Sequence, residues 1–364
     1  MKSVLVLIMG LCVAGCGDKP TASQPPLVSD IKDDETVVFF NTSGWLDEEE
    51  NVWQLPIHGW IYEPEDSTAR KAAFRVVLEE QFDLTTAQNQ ENNLTERLNL
   101  LIADNERGKT IVIRIGDRVI ALPKSAENGH FQETISLSVE DVEKNADDGI
   151  VRFSAVTEAG EERAFKGQIR LDTPTGLSVI SDIDDTVKIS HVTDKRRLME
   201  QTFLRDFEAA SGMSQLYQVL ADSGVAFHYV SSSPWQLYQP LDEFLEQSGF
   251  PWATFSLKAV RFRDETLLSL FKKGTETKPK AITAILDRYP NRQFILVGDS
   301  GEQDPEVYAK LLRERPNQVI RVLIRNVTQE KSDNQRFMDL FAELDQGRWQ
   351  LFDHPKGIVG YVTH

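Results

Sequence analysis

Residues 176–186, GLSVISDIDDT, decide the fold of the second half of the chain. The run GLSVI is apolar apart from Ser178, which is typical of a strand buried on both faces of a parallel sheet. Asp182, Asp184 and Thr186 follow directly, where the strand should end. Ligands of open α/β sheets bind beyond the carboxyl ends of the strands, so this stretch predicts a central strand and a functional site together.

Outward from this stretch, apolar runs alternate with amphipathic helical stretches from about Pro174 onward. The further apolar runs are VAFHYV (225–230), QFILV (293–297) and VIRVLI (319–324). This alternation predicts an α/β domain at 173–364, with a parallel sheet and helices on both faces. Polar residues again follow the runs: Ser231, Ser232 and Ser233 after the first, and Asp299 and Asp304 after the second, while Lys278 opens a predicted helix.

The acidic residues at these strand ends predict a cation site. Asp182 and Asp184 would face the same side of an extended chain, and Asp299 would join them at the sheet edge. Three carboxylates repel one another without a cation, and oxygen ligands with room for water and a phosphate are typical of Mg²⁺. The six histidines are scattered and both cysteines, Cys12 and Cys16, lie at the N-terminus, which argues against zinc.

The same residues predict phosphoryl transfer. A carboxylate beside Mg²⁺ can attack phosphorus and form an aspartyl-phosphate, and a second carboxyl group can protonate the leaving oxygen and then activate water. The hydroxyl of Ser231 and the ammonium of Lys278 can hold the equatorial phosphoryl oxygens. One Gly-Asp-Ser-Gly is a common turn pattern, but such features at three strand ends, in this order, indicate a phosphatase site.

A resemblance to known families is carried by three long segments: SDIDDTVKISHVTDKRRLMEQTFLRDFEAASGM (181–213), FHYVSSSPWQLYQPLDEFL (227–245) and FILVGDSGEQDPEVY (294–308). Their motif order resembles the haloacid dehalogenase superfamily, and the segments are more closely similar to the actin-patch-associated phosphatidate phosphatase family. The resemblance covers about residues 174–330. It implies a haloacid dehalogenase-like Rossmannoid sheet and Mg²⁺-dependent hydrolysis of phosphatidate to diacylglycerol.

By this resemblance, the acidic residues take separate roles. Asp182 would be the nucleophile and a Mg²⁺ ligand, and Asp184 would be the general acid/base that binds Mg²⁺ through its backbone carbonyl. Asp299 would be the third metal carboxylate, and Asp304 would support the metal site or bind the metal through water. Thr186 would orient the loop at the substrate.

The phosphate-binding residues are assigned with alternatives. Ser231 directly follows the apolar run, so it is preferred over Ser232 or Ser233 as the phosphate ligand, with Ser232 as a further substrate contact. Lys278 is the expected phosphate-stabilising lysine, and Lys280 is its rival.

Basic residues near the motifs have two interpretations. Lys195, Arg196 and Arg197 follow the first motif, and Lys258, Arg261 and Arg263 follow the second. They form either a cationic rim for an anionic head group, in which Lys258 and Arg261 contact the substrate, or solvated helix faces. Trp235 belongs to the core more readily than to an acyl-chain contact.

The first half of the chain has a different pattern. From about 35 to 172 it contains short β-branched and aromatic runs separated by Gly-Asp, Asn-Gly and Asp-Gly pairs, which are typical of strands and turns. Two stretches, 67–83 and 90–105, look helical, and the second carries leucines at helical spacing. This pattern predicts a β-sandwich-like accessory domain with a helical insertion.

Residues 1–15 predict an export signal peptide, because their apolar run is too short to span a bilayer as a helix. The run Val13-Ala14-Gly15-Cys16 resembles a bacterial lipobox, which implies cleavage before Cys16 and acylation of that cysteine. Residues 16–34 then form a polar tether to the membrane. Because Gly17 rather than Asp follows the cysteine, resemblance to Gram-negative lipoproteins favours a lipid anchor in the bacterial cell envelope, at the periplasmic face of the outer membrane.

The net charge of the chain limits the classes of partner that it can bind. It has 57 Asp and Glu against 40 Lys and Arg, a formal net charge of -17, which argues against nucleic acid because phosphate backbones need a basic surface. Bound Mg²⁺ would still let an acidic protein take an anionic phospholipid or another phosphomonoester. The alternatives are a phosphatase for a soluble phosphomonoester and a catalytically inert lipoprotein that binds the envelope through its β domain.

Overall fold

The computed structural model describes residues 28–85, 91–259, 277–358 and 360. The expected signal peptide at 1–15, the lipidation site Cys16 and the tether up to residue 27 lie outside the described residues, and so do Arg261 and Arg263. Among the described helices, none has both the length and the apolar composition needed to cross a membrane.

The N-terminal half is built on a sheet in which ten strands are described. The strands are β1 (Thr36–Phe39), β2 (Thr42–Asp47), β3 (Val52–Glu63), β4 (Asp104–Asn105), β5 (Val112–Ile115), β6 (Arg118–Ala121), β7 (His130–Ser138), β8 (Ala146–Asp147), β9 (Ile150–Ala155) and β10 (Lys166–Asp172). The main path runs β1-β3-β2-β10-β9-β5-β6, with β7 paired to β3. Leu55, Ile113 and Ile169 are fully buried in its core. All ten strands belong to one hydrogen-bonded sheet, so the β-sandwich-like arrangement is not confirmed.

The predicted helical insertion is present between β3 and β4. It consists of α1 (Thr68–Phe82) and α2 (Glu91–Ile102), which agree with the two helical stretches in the sequence. Ser67 caps α1 by accepting a hydrogen bond from the backbone of Arg70. The apolar faces of both helices pack against Met199 and Phe203 of the second half, so the insertion is anchored to the other sheet domain. A short helix, α3 (Val139–Asn145), follows β7.

The C-terminal half contains the predicted parallel sheet. Its described strands are β11 (Leu177–Ser181), β12 (Ala226–Pro234), β13 (Thr254–Lys258), β14 (Gln293–Asp299), β15 (Val319–Arg325) and β16 (Trp349–Phe352), in the order β13-β12-β11-β14-β15-β16. Every pair in this sheet is parallel. All four apolar runs are confirmed as strands. The strand formed by VAFHYV was expected to end before the serines, but β12 continues through them to Pro234.

Helices cover both faces of this sheet, which confirms the expected α/β layering. They are α5 (Met213–Asp222), α6 (Tyr238–Gln247), α7 (Thr277–Arg288), α8 (Asp304–Glu314) and α9 (Gln335–Phe341), whereas α4 (Lys195–Phe203) packs against the insertion helices α1 and α2. Neighbouring residues of β11 point to opposite faces. Val179 packs in the cluster with α5 and α6, whereas Ile180 packs in the cluster with α7, α8 and α9.

The two halves share a buried interface. The ring of Trp235 packs against Phe40 of the first half, with ring centroids 4.2 Å apart and the planes tilted by 34°. Trp235 is buried, as expected for a core residue. Tyr289 shares a hydrogen bond with the hydroxyl of Ser43, with the oxygens 2.7 Å apart. The guanidinium of Arg292 donates to the carbonyl oxygens of Thr173, Thr175 and Leu177, which fixes the segment that joins β10 to β11.

The same interface holds an acidic residue, Asp242. Its carboxylate accepts hydrogen bonds from the Tyr238 hydroxyl at 3.2 Å and from Nδ2 of Asn41 at 3.3 Å. Burial raises the pKa of Asp242 to about 6. Between the ordinary pKa of Asp and pH 6, the folded protein holds a proton on Asp242 that the unfolded chain has lost. Ionised Asp242 therefore lowers the stability above pH 6, and this cost disappears as the pH falls towards the ordinary pKa of Asp.

The substitution Asp242→Asn should stabilise the protein at pH 8 by about 1–3 kcal/mol, because the amide keeps the shape without the buried charge. The advantage should shrink as the pH falls below 6. Urea unfolding at pH 8 and at a pH below 6 measures the difference in the free energy of unfolding, and the exposed Asp222→Asn is the control. An equal difference at both pH values would contradict the prediction.

Candidate active site

Three parallel strands deliver polar groups to one edge of the second sheet. Asp182 follows β11, and its backbone N–H donates to the carbonyl oxygen of Val297 in β14 at 2.9 Å. Asp299 is the last residue of β14. The carboxylate of Asp304 lies where a side chain on Gly298 would be, with its Oδ2 2.2 Å from that Cβ position. A glycine at 298 is therefore required for Asp304 to reach this edge.

The carboxylates of Asp182, Asp299 and Asp304 form a compact buried cluster. One oxygen from each lies within 4.8 Å of the others. The three residues are 1%, 0% and 0% exposed. Asp299 Oδ2 is buried without a hydrogen-bond partner among the described residues. Clustered carboxylate oxygens, one of them lacking a donor, fit a hard divalent cation such as Mg²⁺.

Lys278 closes this cluster from the first turn of α7. Its Nζ lies 2.9 Å from Asp182 Oδ1, 2.6 Å from Asp304 Oδ1 and 3.2 Å from Glu302 Oε2. Burial would lower the pKa of Lys278, but these carboxylates together raise it well above its ordinary value. One ammonium therefore faces four acidic side chains, counting Asp299.

Burial and the excess of negative charge raise the pKa of the acidic groups. Burial raises the pKa of Asp182 well above its ordinary value, although Lys278 opposes the shift. Burial and the neighbouring Asp304 raise the pKa of Asp299 in the same way, and burial also raises the pKa of Glu302. Such shifts are typical of a site that is completed by a cation.

Asp184 has a different environment from Asp182. Its Oδ1 lies 2.7 Å from Nζ of Lys188 and accepts from the Ser190 hydroxyl at 2.7 Å. Burial would raise its pKa, but Lys188 and the surrounding hydroxyls outweigh burial and lower the pKa of Asp184 to about 2. The chain leaves the strand at Ser181, and the side chains of Asp182 and Asp184 enter separate hydrogen-bond networks.

The serines and Thr186 lie close to the two aspartates. Ser231 and Ser233 donate to Asp184 Oδ2 at 3.2 Å and 3.0 Å, and Ser232 between them is half-buried. Thr186 is fully buried and donates to Asp182 Oδ2 at 3.4 Å. The structure thus brings Ser233 to the site as well as the preferred Ser231.

The remaining basic candidates differ in exposure and in the element that carries them. Lys280 is exposed on α7, so Lys278 and not Lys280 contacts the carboxylate cluster. Lys258 is half-buried at the end of β13. Lys195, Arg196 and Arg197 form the exposed first turn of α4, where Arg197 lies 2.8 Å from Nε2 of His191.

Three site residues were missed from the sequence. Lys188 is 2% exposed and pairs with Asp184, and Glu302 pairs with Lys278. Asp185 has a positive φ of 55°, and its carboxylate accepts backbone hydrogen bonds from residues 190, 191 and 192, which holds the loop after the aspartates. All three lie inside the long segments that carry the family resemblance. The length of these segments was the signal in the sequence that could have pointed to further site residues.

Comparison with known proteins locates the similarity in this half. Residues 177–326 match the family model described as the catalytic domain of phosphatidate phosphatase APP1. The chain is 34% identical to phosphatidate phosphatase APP1 of Saccharomyces cerevisiae over 165 residues, which is 44% of this chain and 28% of that protein. It is 29% identical to an uncharacterized protein of Schizosaccharomyces pombe over 168 residues, 45% of this chain and 27% of that protein.

These matches confirm the resemblance that the motifs carry, and they support a phosphoric monoester hydrolase domain. The chain matches less than a third of the length of either curated relative. Among solved structures, a putative β-phosphoglucomutase from Thermotoga maritima aligns with 51% of this chain and 98% of its own, at 11% identity and a TM-score of 0.32. That score is too low to support an argument about the fold.

Replacing Lys278 with Met should leave the buried carboxylates without their ammonium. We expect the free energy of unfolding at pH 7, with divalent cations chelated, to fall by about 3–5 kcal/mol. The loss should shrink at acidic pH, where the carboxylates with raised pKa are protonated and the ion pairs are absent in the native protein too. Urea denaturation at several pH values measures this.

Lys280→Met is the matched control, since it removes an exposed lysine from the same helix and should change stability by no more than about 0.5 kcal/mol. A Lys278→Met protein as stable as the native one at pH 7 would show that the cluster does not depend on this lysine.

Proposed function

We propose that the chain is a Mg²⁺-dependent phosphatase that hydrolyses a phosphomonoester, with phosphatidate, which yields diacylglycerol, as the favoured substrate. One observation carries the proposal. The buried carboxylates of Asp182, Asp299 and Asp304 meet Lys278 at the carboxyl edge of a parallel sheet. This edge lies inside the segment that is similar to a phosphatidate phosphatase catalytic domain.

Asp182 is the proposed nucleophile. Its carboxylate oxygen forms a bond to phosphorus while the bond from phosphorus to the substrate oxygen breaks, and the departing alkoxide takes a proton to become an alcohol. Water then attacks phosphorus, loses a proton and frees both phosphate and the carboxylate. Lys278, 2.9 Å from Asp182, favours the ionised form that the attack requires.

Asp182, Asp299 and Asp304, with the backbone carbonyl of Asp184, are the proposed Mg²⁺ ligands, directly or through water. The cation would neutralise charge on the phosphoryl oxygens. Ser231 and Lys278 are proposed to bind those oxygens, Ser232 is a further proposed substrate contact, and Thr186 would keep the Asp182 carboxylate oriented.

Asp184 is the proposed general acid and base. In the described state its pKa of about 2 keeps the carboxylate ionised. To donate a proton it must lose part of the stabilisation from Lys188, Ser190, Ser231 and Ser233. A phosphoryl group that engages Ser231 and Lys188 would provide this change, because it competes for the same donors.

The choice of phosphatidate rests on three supports. The relative from Saccharomyces cerevisiae carries that substrate in its name. The expected acylation of Cys16 would tether the enzyme at a lipid surface of the cell envelope, proposed as the periplasmic face of the outer membrane, and a tether raises the effective concentration of a lipid substrate. Lys195–Arg197 and Lys258, with Arg261 outside the described residues, supply cations for an anionic head group.

A finer fold assignment belongs to the same proposal. The carboxylates at the ends of β11 and β14 support a haloacid dehalogenase-like domain at 173–364. The sheet of the first half is the proposed accessory domain at 35–172, with a β-sandwich-like arrangement. A complete set of acidic residues and Lys278 argues against the alternative of an inert envelope-binding lipoprotein.

Asp182→Asn should abolish phosphate release from phosphatidate in mixed micelles and from p-nitrophenyl phosphate, because the amide cannot attack phosphorus. The variant should remain folded, since the Asn amide has the size of the carboxylate. Phosphate release and circular dichroism measure the two expectations, and the exposed Asp222→Asn should behave as the native protein. An active Asp182→Asn variant would refute the mechanism.

The substrate is tested separately by comparing kcat/KM for phosphatidate micelles with that for a panel of soluble phosphomonoesters. We expect phosphatidate to be hydrolysed with the higher kcat/KM. If a soluble phosphomonoester has a higher kcat/KM than phosphatidate, the proposed chemistry stands and the soluble compound replaces phosphatidate as the proposed substrate.

A further inference from the structure

Arg97, on helix α2 of the insertion, is a buried cation that reaches across to the second half. It is 5% exposed. Its Nη1 donates to the carbonyl oxygens of Thr202 at 2.9 Å and Arg205 at 2.6 Å, with Gln201 O at 3.4 Å. The carbonyls of Gln201 and Thr202 belong to the last turn of helix α4, which lacks partners within the helix and carries the negative end of its dipole, and the carbonyl of Arg205 follows that helix. Burial lowers the pKa of Arg97 to about 10, so the guanidinium stays charged at neutral pH.

The same guanidinium lies over the ring of Phe207, with its Cζ 3.9 Å from the ring centroid. The Nζ of Lys188 lies 5.0 Å from the centroid of that ring. Phe207 thus contacts a cation from the insertion and a cation from the site. Its ring also packs edge-on against Phe244 at 5.6 Å, which limits where the ring can move.

The backbone makes a second connection between Phe207 and Lys188. The segment after Phe207 pairs antiparallel with the segment that carries Lys188. Ile189 N–H donates to Glu208 O at 2.8 Å, and Ala210 N–H donates to Val187 O at 2.8 Å. A shift of residues 205–208 would therefore be transmitted to Lys188, whose ammonium lies 2.7 Å from Asp184.

We propose that Arg97 and Phe207 are positioning residues for the phosphatase reaction, which hold Lys188 against Asp184 from the helical insertion of the first half. This inference rests on the proposed function and extends it, because it makes the accessory half a part of the site. Neither residue contacts the reacting atoms. They act through Lys188, and the insertion completes the site by fixing where the ammonium lies.

The geometry explains why arginine is needed at this position. A planar guanidinium can donate along its edge to carbonyl oxygens while its face covers an aromatic ring, whereas a lysine ammonium has no planar face to stack on the ring. Loss of the guanidinium would leave buried carbonyls of α4 without donors and release the ring. Small displacements of a group that positions reacting atoms lower the rate steeply.

The test measures kcat and KM for p-nitrophenyl phosphate in the native protein, Arg97→Met, Phe207→Leu and Phe207→Tyr. We expect kcat to fall by about 10-fold to 100-fold in Arg97→Met and Phe207→Leu with little change in KM, and to be retained in Phe207→Tyr, which keeps the ring. In a Lys188→Met background, Arg97→Met should cause little further loss, because both changes break one connection.

Leu94→Ala is the matched control. Leu94 is buried on α2 in the same insertion cluster, so its truncation should lower the melting temperature. Because no guanidinium or ring is removed, kcat should stay at the native value. An equal loss of kcat in Leu94→Ala, or a native kcat in Arg97→Met, would overturn the inference, and so would fully multiplicative losses in Arg97→Met combined with Lys188→Met.

Amide hydrogen exchange at residues 184–192 provides a readout that does not require activity. Exchange should accelerate in Arg97→Met and Phe207→Leu but not in Leu94→Ala. If the native protein hydrolyses no phosphomonoester, the proposed function fails, and this comparison alone decides whether the insertion holds the loop. Native exchange rates in Arg97→Met would overturn the positioning role.

Discussion

The arrangement of the candidate site depends on a surplus of buried carboxylates around one ammonium. Lys278 contacts three acidic side chains and a fourth, Asp299, has an oxygen without a donor among the described residues. Burying unpaired negative charge is costly, so the sheet must place a compensating cation at this edge or keep protons on the acids. A divalent cation satisfies the cluster and also supplies what phosphoryl transfer needs. One bound cation would therefore both offset the buried negative charge and serve the proposed reaction.

A second lysine gives the two neighbouring aspartates different environments. Lys188 and three hydroxyls keep Asp184 ionised, whereas burial among acids raises the pKa of Asp182. When two carboxylates two residues apart have opposite environments, one loop can hold both a nucleophile and a proton carrier. Lys188 is in turn connected to the first half of the chain through Phe207 and Arg97. The first half of the chain is thus connected to the candidate site through side-chain contacts.

The parallel sheet could be predicted because its strands are apolar runs followed directly by polar residues, which also places Asp182 and Asp299 at one edge. The sequence grouped Asp184 with these two carboxylates, whereas the structure groups Asp304, the first residue of helix α8, with them. Lys188 could not be predicted, since a lysine four residues after Asp184 usually lies in solvent and is buried here by a turn that begins at Asp185. Arg97 could not be predicted either. Its partners are more than 100 residues away in sequence, and a leucine-rich helix shows which face is apolar but not what the face contacts.

The three clustered aspartates are the proposed cation site. Calorimetric titration of Mg²⁺ into the chelator-treated protein tests it most directly. We predict one bound Mg²⁺ per chain in the native protein and loss of that binding in Asp299→Asn, whose carboxylate has no ion pair to lose among the described contacts. Absence of Mg²⁺ binding at millimolar concentrations in the native protein, or unchanged binding in Asp299→Asn, would contradict the account.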